Sequence, residues 1–161
     1  MKWIGVVDTM FARVDMGAIA LAALKAKPDF GVRFDLARRT VPGFKDLAVA
    51  AKRLIQFDGC EIVVALGMPG PAALDEACAR DASFGITMAQ LMTSVPILEV
   101  FVHEVESGGD DARLLAICQD RCSKHALNAH DMLFDPASLV TRAGQGVRQG
   151  APDAGPIEVA A

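Results

Sequence analysis

The sequence predicts an α/β fold, a three-layer sandwich built on a four-stranded, mainly parallel sheet. Three observations predict it. Short apolar runs alternate with longer segments of helical spacing along most of the chain. The run from Cys60 to Leu66 is apolar throughout apart from Glu61, as a central parallel strand buried on both faces requires. Helical segments stand between successive runs, and such connections form right-handed crossovers.

The elements follow in order. Trp3-Ile4-Gly5-Val6-Val7 is the first strand, ending at Asp8-Thr9, and Met16 to Leu24 is an alanine-rich helix stopped by Pro28-Asp29. Val32, Phe34 and Leu36 alternate with Arg33 and Asp35, predicting a second strand that reaches about Thr40. Leu47, Ala50, Ala51 and Leu54 mark the buried face of a second helix. After the third strand, Gly67-Met68-Pro69-Gly70-Pro71 breaks the pattern, and a long helix runs from about Ala72 to Met92 with Gly85 as a soft point. Pro96 opens the fourth strand, Ile97 to Val102, closed by His103-Glu104. A Gly108-Gly109 turn precedes a helix whose acidic start, Asp110-Asp111, suits the positive end of its dipole. Its expected buried stripe is Leu115, Cys118, Cys122, Ala126, Ala129 and Leu133. From Pro136 the pattern fails, and the glycines and prolines of 136–161 predict an irregular tail, disordered or, as we favour, docked on a neighbouring chain.

The 161 residues suit one α/β catalytic domain spanning 1–161 with its own core. Hydrophobic residues make up 52% and charged residues 22%, so part of the outer surface is expected to be covered by partner subunits. A net charge of -4, with no basic run longer than Arg38-Arg39, argues against nucleic acid as a ligand. The first strand begins at once, leaving no room for a signal peptide, and no apolar stretch nears the roughly 20 residues that span a bilayer. Cys60, Cys78, Cys118 and Cys122 sit within periodic segments and read as reduced, mostly buried thiols of a cytoplasmic protein.

Chemistry is expected where the four strands end, because open α/β sheets bind ligands at the carboxyl edge. The loops there are 8–13, 40–46, 67–71 and 103–106. They offer an aromatic ring, glycine-exposed backbone amides and proton-handling side chains, an inventory for a flat polar heterocycle with a hydroxylated arm. Phe11 either stacks on such a ring or packs the first helix onto the sheet. Asp8 either caps that helix or takes part in catalysis. His103 is the leading acid/base residue, since imidazole exchanges protons near neutral pH. Gly67 and Gly70 form no phosphate loop, as no Lys-Ser/Thr follows, and Gly5 starts no dinucleotide fingerprint. Cys118, Cys122 and His125, with His130 beyond, could share a helix face as zinc ligands, but the same stripe is expected to be plain core. No serine sits at a nucleophile elbow.

Six blocks carry a resemblance. Asp8-Thr9-Met10-Phe11-Ala12-Arg13-Val14-Asp15-Met16, Arg39-Thr40-Val41-Pro42-Gly43-Phe44-Lys45-Asp46-Leu47, Ala65-Leu66-Gly67-Met68-Pro69-Gly70, Ala89-Gln90-Leu91-Met92-Thr93, Glu99-Val100-Phe101-Val102-His103-Glu104 and Arg148-Gln149-Gly150 together resemble the archaeal-type riboflavin synthases. That family is related in fold to lumazine synthase. The resemblance implies a lumazine-synthase-like fold, a homopentamer with sites between adjacent subunits, a magnesium (Mg2+) requirement and no redox cofactor. The implied reaction is a dismutation of two 6,7-dimethyl-8-ribityllumazine molecules. One gives a four-carbon unit to the other, leaving riboflavin and 5-amino-6-ribitylamino-uracil.

By the same resemblance, Phe11 matches a stacking aromatic, with Ala12 beside it. Val41, Pro42 and Gly43 match the turn that meets the ribityl chain, Asp46 stands where a glutamate binds ribityl hydroxyls, and Lys124 matches a lysine contacting that arm. Gly67 and Met68 complete the substrate-binding set, and His103 with Glu104 the catalytic one; the metal ligands are unknown. Lumazine synthases carry a Gly-Ala-Thr phosphate-binding segment and a nearby histidine. This chain has Met68-Pro69-Gly70 and then Ala72-Ala73-Leu74-Asp75, which disfavours a phosphorylated substrate. The alternatives kept open are lumazine synthase itself and a non-catalytic flavin- or pterin-binding oligomer.

Overall fold

Alternating apolar runs become four parallel strands in a computed structural model, which describes residues 1–157. The strands are β1 (Lys2–Thr9), β2 (Phe34–Val41), β3 (Cys60–Gly67) and β4 (Ile97–Phe101), in the sheet order β2-β1-β3-β4. Helices α1 (Met16–Lys25) and α4 (Asp111–Phe134) cover one face, and α2 (Phe44–Asp58) and α3 (Ala73–Thr93) the other. The result is the expected three-layer α/β sandwich. Among the described residues, no helix is long and apolar enough to cross a membrane.

Both central strands are buried on two faces. Ile4, Val6, Ile62, Val64 and Leu66 meet α1 and α4, while Val7, Val63 and Ala65 meet α2 and α3. Glu61, the one polar break in β3, falls at a register irregularity and turns outward to Lys2 Nζ at 2.6 Å. The second strand starts later than its alternation suggests. Val32 is exposed because its N–H and that of Arg33 are drawn into a turn on the Asp29 carbonyl, followed by pairing from Phe34 onward.

Gly85 does not soften α3, which runs unbroken; a Cβ there would lie 3.3 Å from Ala48 of α2, so the glycine serves close helix packing. The stripe of α4 is set one residue earlier than expected at its start. Leu114 is buried and Leu115 exposed, and His130 joins Cys118, Cys122, Ala126 and Ala129 inside. His130 Nε2 meets the Asp29 carboxylate at 3.0 Å, and its ring lies 5.2 Å from that of Phe34. This fastens α4 to the α1–β2 connection.

The tail corrects the expectation of irregularity from Pro136. A short helix, α5 (Pro136–Arg142), begins with proline at a position that needs no N–H donor, and Arg142 anchors it to Asp131 at 2.7 Å. Beyond it, the described tail lies on α4 of its own chain. Asp120 accepts from the Gly150 N–H at 2.6 Å, and Lys124 donates to the Arg148 carbonyl at 3.1 Å. The remainder of the tail, 158–161, lies outside the described residues.

Candidate active site

Strand order reverses between β1 and β3, so the crevice of the sheet opens where the loops after these two strands diverge. The first of these loops carries Phe11, and Arg38 holds both of its ends. The Arg38 guanidinium pairs with Asp8 and with Asp15, while Thr40 Oγ1 donates to Asp8 at 2.7 Å. Asp8 is therefore not the cap of α1; Asp15 is, accepting from the Ala18 N–H at 2.9 Å. Asp8 itself is buried, and its charge is compensated by Arg38, as a buried carboxylate requires. Gly17 permits this arrangement, since a side chain there would strike both Asp8 and Arg38.

Three aromatic rings from three strand ends line up along the edge. Phe11 stands 53% exposed with its ring edge-on to Phe44 at 6.1 Å, and Phe44 leans on Phe101 at 5.5 Å. Phe11 thus does not pack α1 onto the sheet; its outer surface is open to a ligand. Gly67 makes the row possible, because a Cβ there would fall 2.7 Å from Phe44 and 2.9 Å from Phe101. A depression of about 230 Å³ lies against this row, lined by Phe11, Gly43, Phe44, Lys45, Asp46, Asp75 and Cys78. A second, of about 460 Å³, is lined by Val41, Pro42, Asp46 and Arg53 among others. Asp46 belongs to both. Its Oδ2 accepts from the Gly43 N–H at 3.2 Å, so the carboxylate both starts α2 and joins a ring-sized hollow to a polar groove.

His103 follows β4, with its imidazole partly exposed. Its Nδ1 lies 2.7 Å from Glu76 Oε1 on α3, and its backbone N–H donates to Glu106 Oε1 at 2.9 Å. Glu104, expected to tune His103, does not reach it. The Glu104 carboxylate instead meets Arg13 at 3.3 Å, and Arg13 also grips Asp111 at 2.8 Å. Glu106 is held by Arg121, whose guanidinium bonds it at 2.6 and 2.8 Å and the Phe101 carbonyl at 2.9 Å. The Arg121 hydrogen bond keeps the Glu106 carboxyl below the usual carboxylate range, against the effect of burial. Glu99 of β4 shows the reverse: burial raises its carboxyl, and Ser83 of α3 donates to it at 2.7 Å.

Other expected residues stand apart. Met68 is fully buried, and Ala12 packs against the α1–α4 core, so neither offers its side chain to the Phe11 hollow. Lys124 lies on α4, paired with Asp120 at 2.7 Å, and is not brought to Phe11 within one chain. Cys118 and Cys122 are core residues whose thiols burial pushes up to about 11 and about 12. Among the described residues no three His, Cys, Asp or Glu side chains gather as metal ligands, for zinc or for magnesium.

Sequence reasoning missed Phe44, Asp75, Glu76 and Cys78. Phe44 lay in the 40–46 loop without a role of its own, and the structure makes it the first residue of α2. Glu76 gave no signal at all, because an acidic residue in the first turn of a helix is ordinary dipole chemistry.

The sequence profile of the 6,7-dimethyl-8-ribityllumazine synthase family matches residues 2–134. A riboflavin synthase of Methanothermobacter thermautotrophicus is 52% identical over 154 residues, covering 96% of this chain and 98% of its own. One from Archaeoglobus fulgidus is 40% identical over 96% of this chain and 97% of its own, and one from Aeropyrum pernix 43% identical over 98% and 99%.

Proposed function

The chain belongs to the 6,7-dimethyl-8-ribityllumazine synthase family, and from that premise we propose that it acts as a riboflavin synthase. The observation that carries the reading is the near full-length similarity to archaeal proteins of that name. Local chemistry supports it over lumazine synthase. Asp75 and Glu76 occupy the first turn of α3, so the positive end of that helix already faces two carboxylates and would repel a substrate phosphate. A purely structural oligomer would not require an open aromatic ring and a carboxylate flanking one hollow.

In this reading the heterocycle of one lumazine lies on Phe11 in the smaller depression. Its ribityl arm runs past Asp46 into the groove of Val41 and Pro42, where the carboxylate accepts from its hydroxyls. A base removes a proton from the C7 methyl of one lumazine, and the carbanion attacks the second. The adduct then fragments, moving four carbons to give riboflavin and the pyrimidine. The two lumazines together contain the same atoms as the two products, and the water added in releasing the four-carbon unit is lost again in its condensation, so no external oxidant enters. Holding two rings in register supplies most of the rate, and His103 moves the protons.

The second site wall is assigned to a neighbouring copy. Lys124 lies on α4, across the sheet from the α2 and α3 residues that line the Phe11 hollow, and α3 exposes Leu74, Phe84, Met88, Leu91 and Met92, apolar surface suited to a homopentameric contact. Among the described residues no cluster of three His, Cys, Asp or Glu side chains gathers to hold magnesium. The free thiols fit a cytoplasmic enzyme.

The test is direct. Pure protein with lumazine and magnesium, without oxygen or nicotinamide, should yield riboflavin and the pyrimidine in equal amounts; a parallel run with a chelator measures any metal dependence. No turnover of lumazine, with activity instead on a butanone phosphate plus the pyrimidine, moves the assignment to lumazine synthase. Saturable riboflavin binding with no product moves it to a binding module.

A further inference from the structure

We propose that Glu76 is the positioning residue for His103, fixing its tautomer and ring orientation so that Nε2 is the atom that exchanges protons with substrate. The proposal rests on the reading of His103 as the proton carrier. An ionised carboxylate can only accept, so the 2.7 Å contact between Glu76 Oε1 and His103 Nδ1 requires the proton to sit on Nδ1. Neutral imidazole then presents Nε2 as a lone pair, and no hydrogen bond occupies Nε2 among the described residues. This is the logic by which a carboxylate orients the base of a hydrolase triad, here delivered across the sheet edge from a different element.

The histidine is fixed from two sides. Glu106 takes its backbone N–H, and Arg121 braces Glu106, so the main chain cannot drift while Glu76 holds the ring. The charged groups around the imidazole are Glu76 from α3, Glu99 from β4, Glu106 from the turn and Arg121 from α4. Arg121 is engaged by Glu106, and Glu99 by Ser83, which leaves Glu76 as the carboxylate in contact with the ring. Glu76 also links the two halves of the site. Its neighbour Asp75 lines the Phe11 hollow, so one turn of α3 touches both the ring-binding surface and the proton carrier.

Two variants separate charge from hydrogen bonding. Glu76→Gln keeps a carbonyl acceptor for Nδ1–H but removes the charge, whereas Glu76→Ala removes both. Nitrogen-15 NMR of His103 in the full-length protein should show the Nδ1–H tautomer in the parent and in Glu76→Gln, and a shift toward Nε2–H in Glu76→Ala. Single-turnover conversion of lumazine should slow on the order of tenfold in Glu76→Ala, with lumazine affinity nearly unchanged and partial rescue in Glu76→Gln. An unaltered tautomer in Glu76→Ala would overturn the proposal, as would a normal rate in that variant. An inactive parent protein instead overturns the riboflavin synthase reading, and the NMR result still decides whether Glu76 holds His103.

Discussion

Phe11 and Asp46 carry separable parts of ligand recognition, and the structure dictates how to test each. Phe11 touches only Phe44 among aromatic rings, so Phe11→Ala removes a stacking surface without opening the core. Riboflavin affinity should fall about fivefold, from the ~1 kcal/mol of an aromatic pair, in a fluorescence titration. Asp46 also starts α2, so alanine would confuse recognition with helix capping. Asp46→Asn keeps an acceptor for the Gly43 N–H and loses only the charge. It should weaken riboflavin more than a ring analogue without the ribityl arm; equal losses on both would exclude the arm-binding role. Cys78 offers an independent reporter. Burial pushes the Cys60 and Cys122 thiols up to about 12 and Cys118 to about 11, which silences them at neutral pH. Cys78 lines the Phe11 hollow and is partly exposed, so iodoacetamide should modify it alone, and riboflavin should slow the reaction. Equal alkylation with and without riboflavin would place the ligand elsewhere. At this scale the sequence left Phe11 two readings, ring stacking or helix packing, and only its exposure in the fold sets the second aside, whereas Glu76 gave no signal, because its sequence context looks like any helix start.

Every strand and the four long helices were legible as elements, because one physical cause, burial on one or two faces, imprints its period on the chain. Edges were less so. Val32 extends the alternation of β2 in sequence, yet the Asp29 turn claims its backbone; Leu115 looks as buriable as Leu114, and only the register of α4 against α1 decides between them. Two element-scale predictions follow from contacts that periodicity cannot show. Gly67→Ala places a methyl against Phe44 and Phe101, and overpacking of this kind should cost about 1–3 kcal/mol, read as a lower urea midpoint. The Glu106–Arg121 pair, which joins the turn after β4 to α4, should make stability pH-dependent. Its folded-state carboxyl titrates below the unfolded value of about 4.3, so the contribution is complete above that value and is lost as pH falls through the folded one. Glu106→Gln should therefore lower stability at pH 7, with the gap to the parent narrowing from about pH 5 toward pH 3 in urea titrations. A gap that stays constant over that range would show that the pair's charge contributes nothing.

At the scale of the whole molecule, the question is whether one chain or two build the site. The layer order was legible, since a doubly buried β3 must lie between helices, but the docking of the tail was not: Gly150 gains its partner from Asp120, thirty positions earlier, through a contact with no periodic signature. The same tail covers α4 beside Lys124, and the α3 face with Phe84 and Leu91 remains open. If five copies close on that face, Lys124 of one can complete the Phe11 hollow of the next. Native mass spectrometry should then give five chain masses for the parent, and Phe84→Glu with Leu91→Glu should give smaller species, because two carboxylates cannot be desolvated in such a contact without partners. Loss of assembly should abolish turnover even though every residue around Phe11 is intact. A mixing experiment settles whether the site is shared. Phe11→Ala and Lys124→Ala are each expected to be impaired, but co-refolded together they place an intact Phe11 beside an intact Lys124 at some interfaces. Activity above the sum of the two separate variants is the expected result. A mixture no better than its parts, from proteins that still assemble, would mean that each chain builds its site alone.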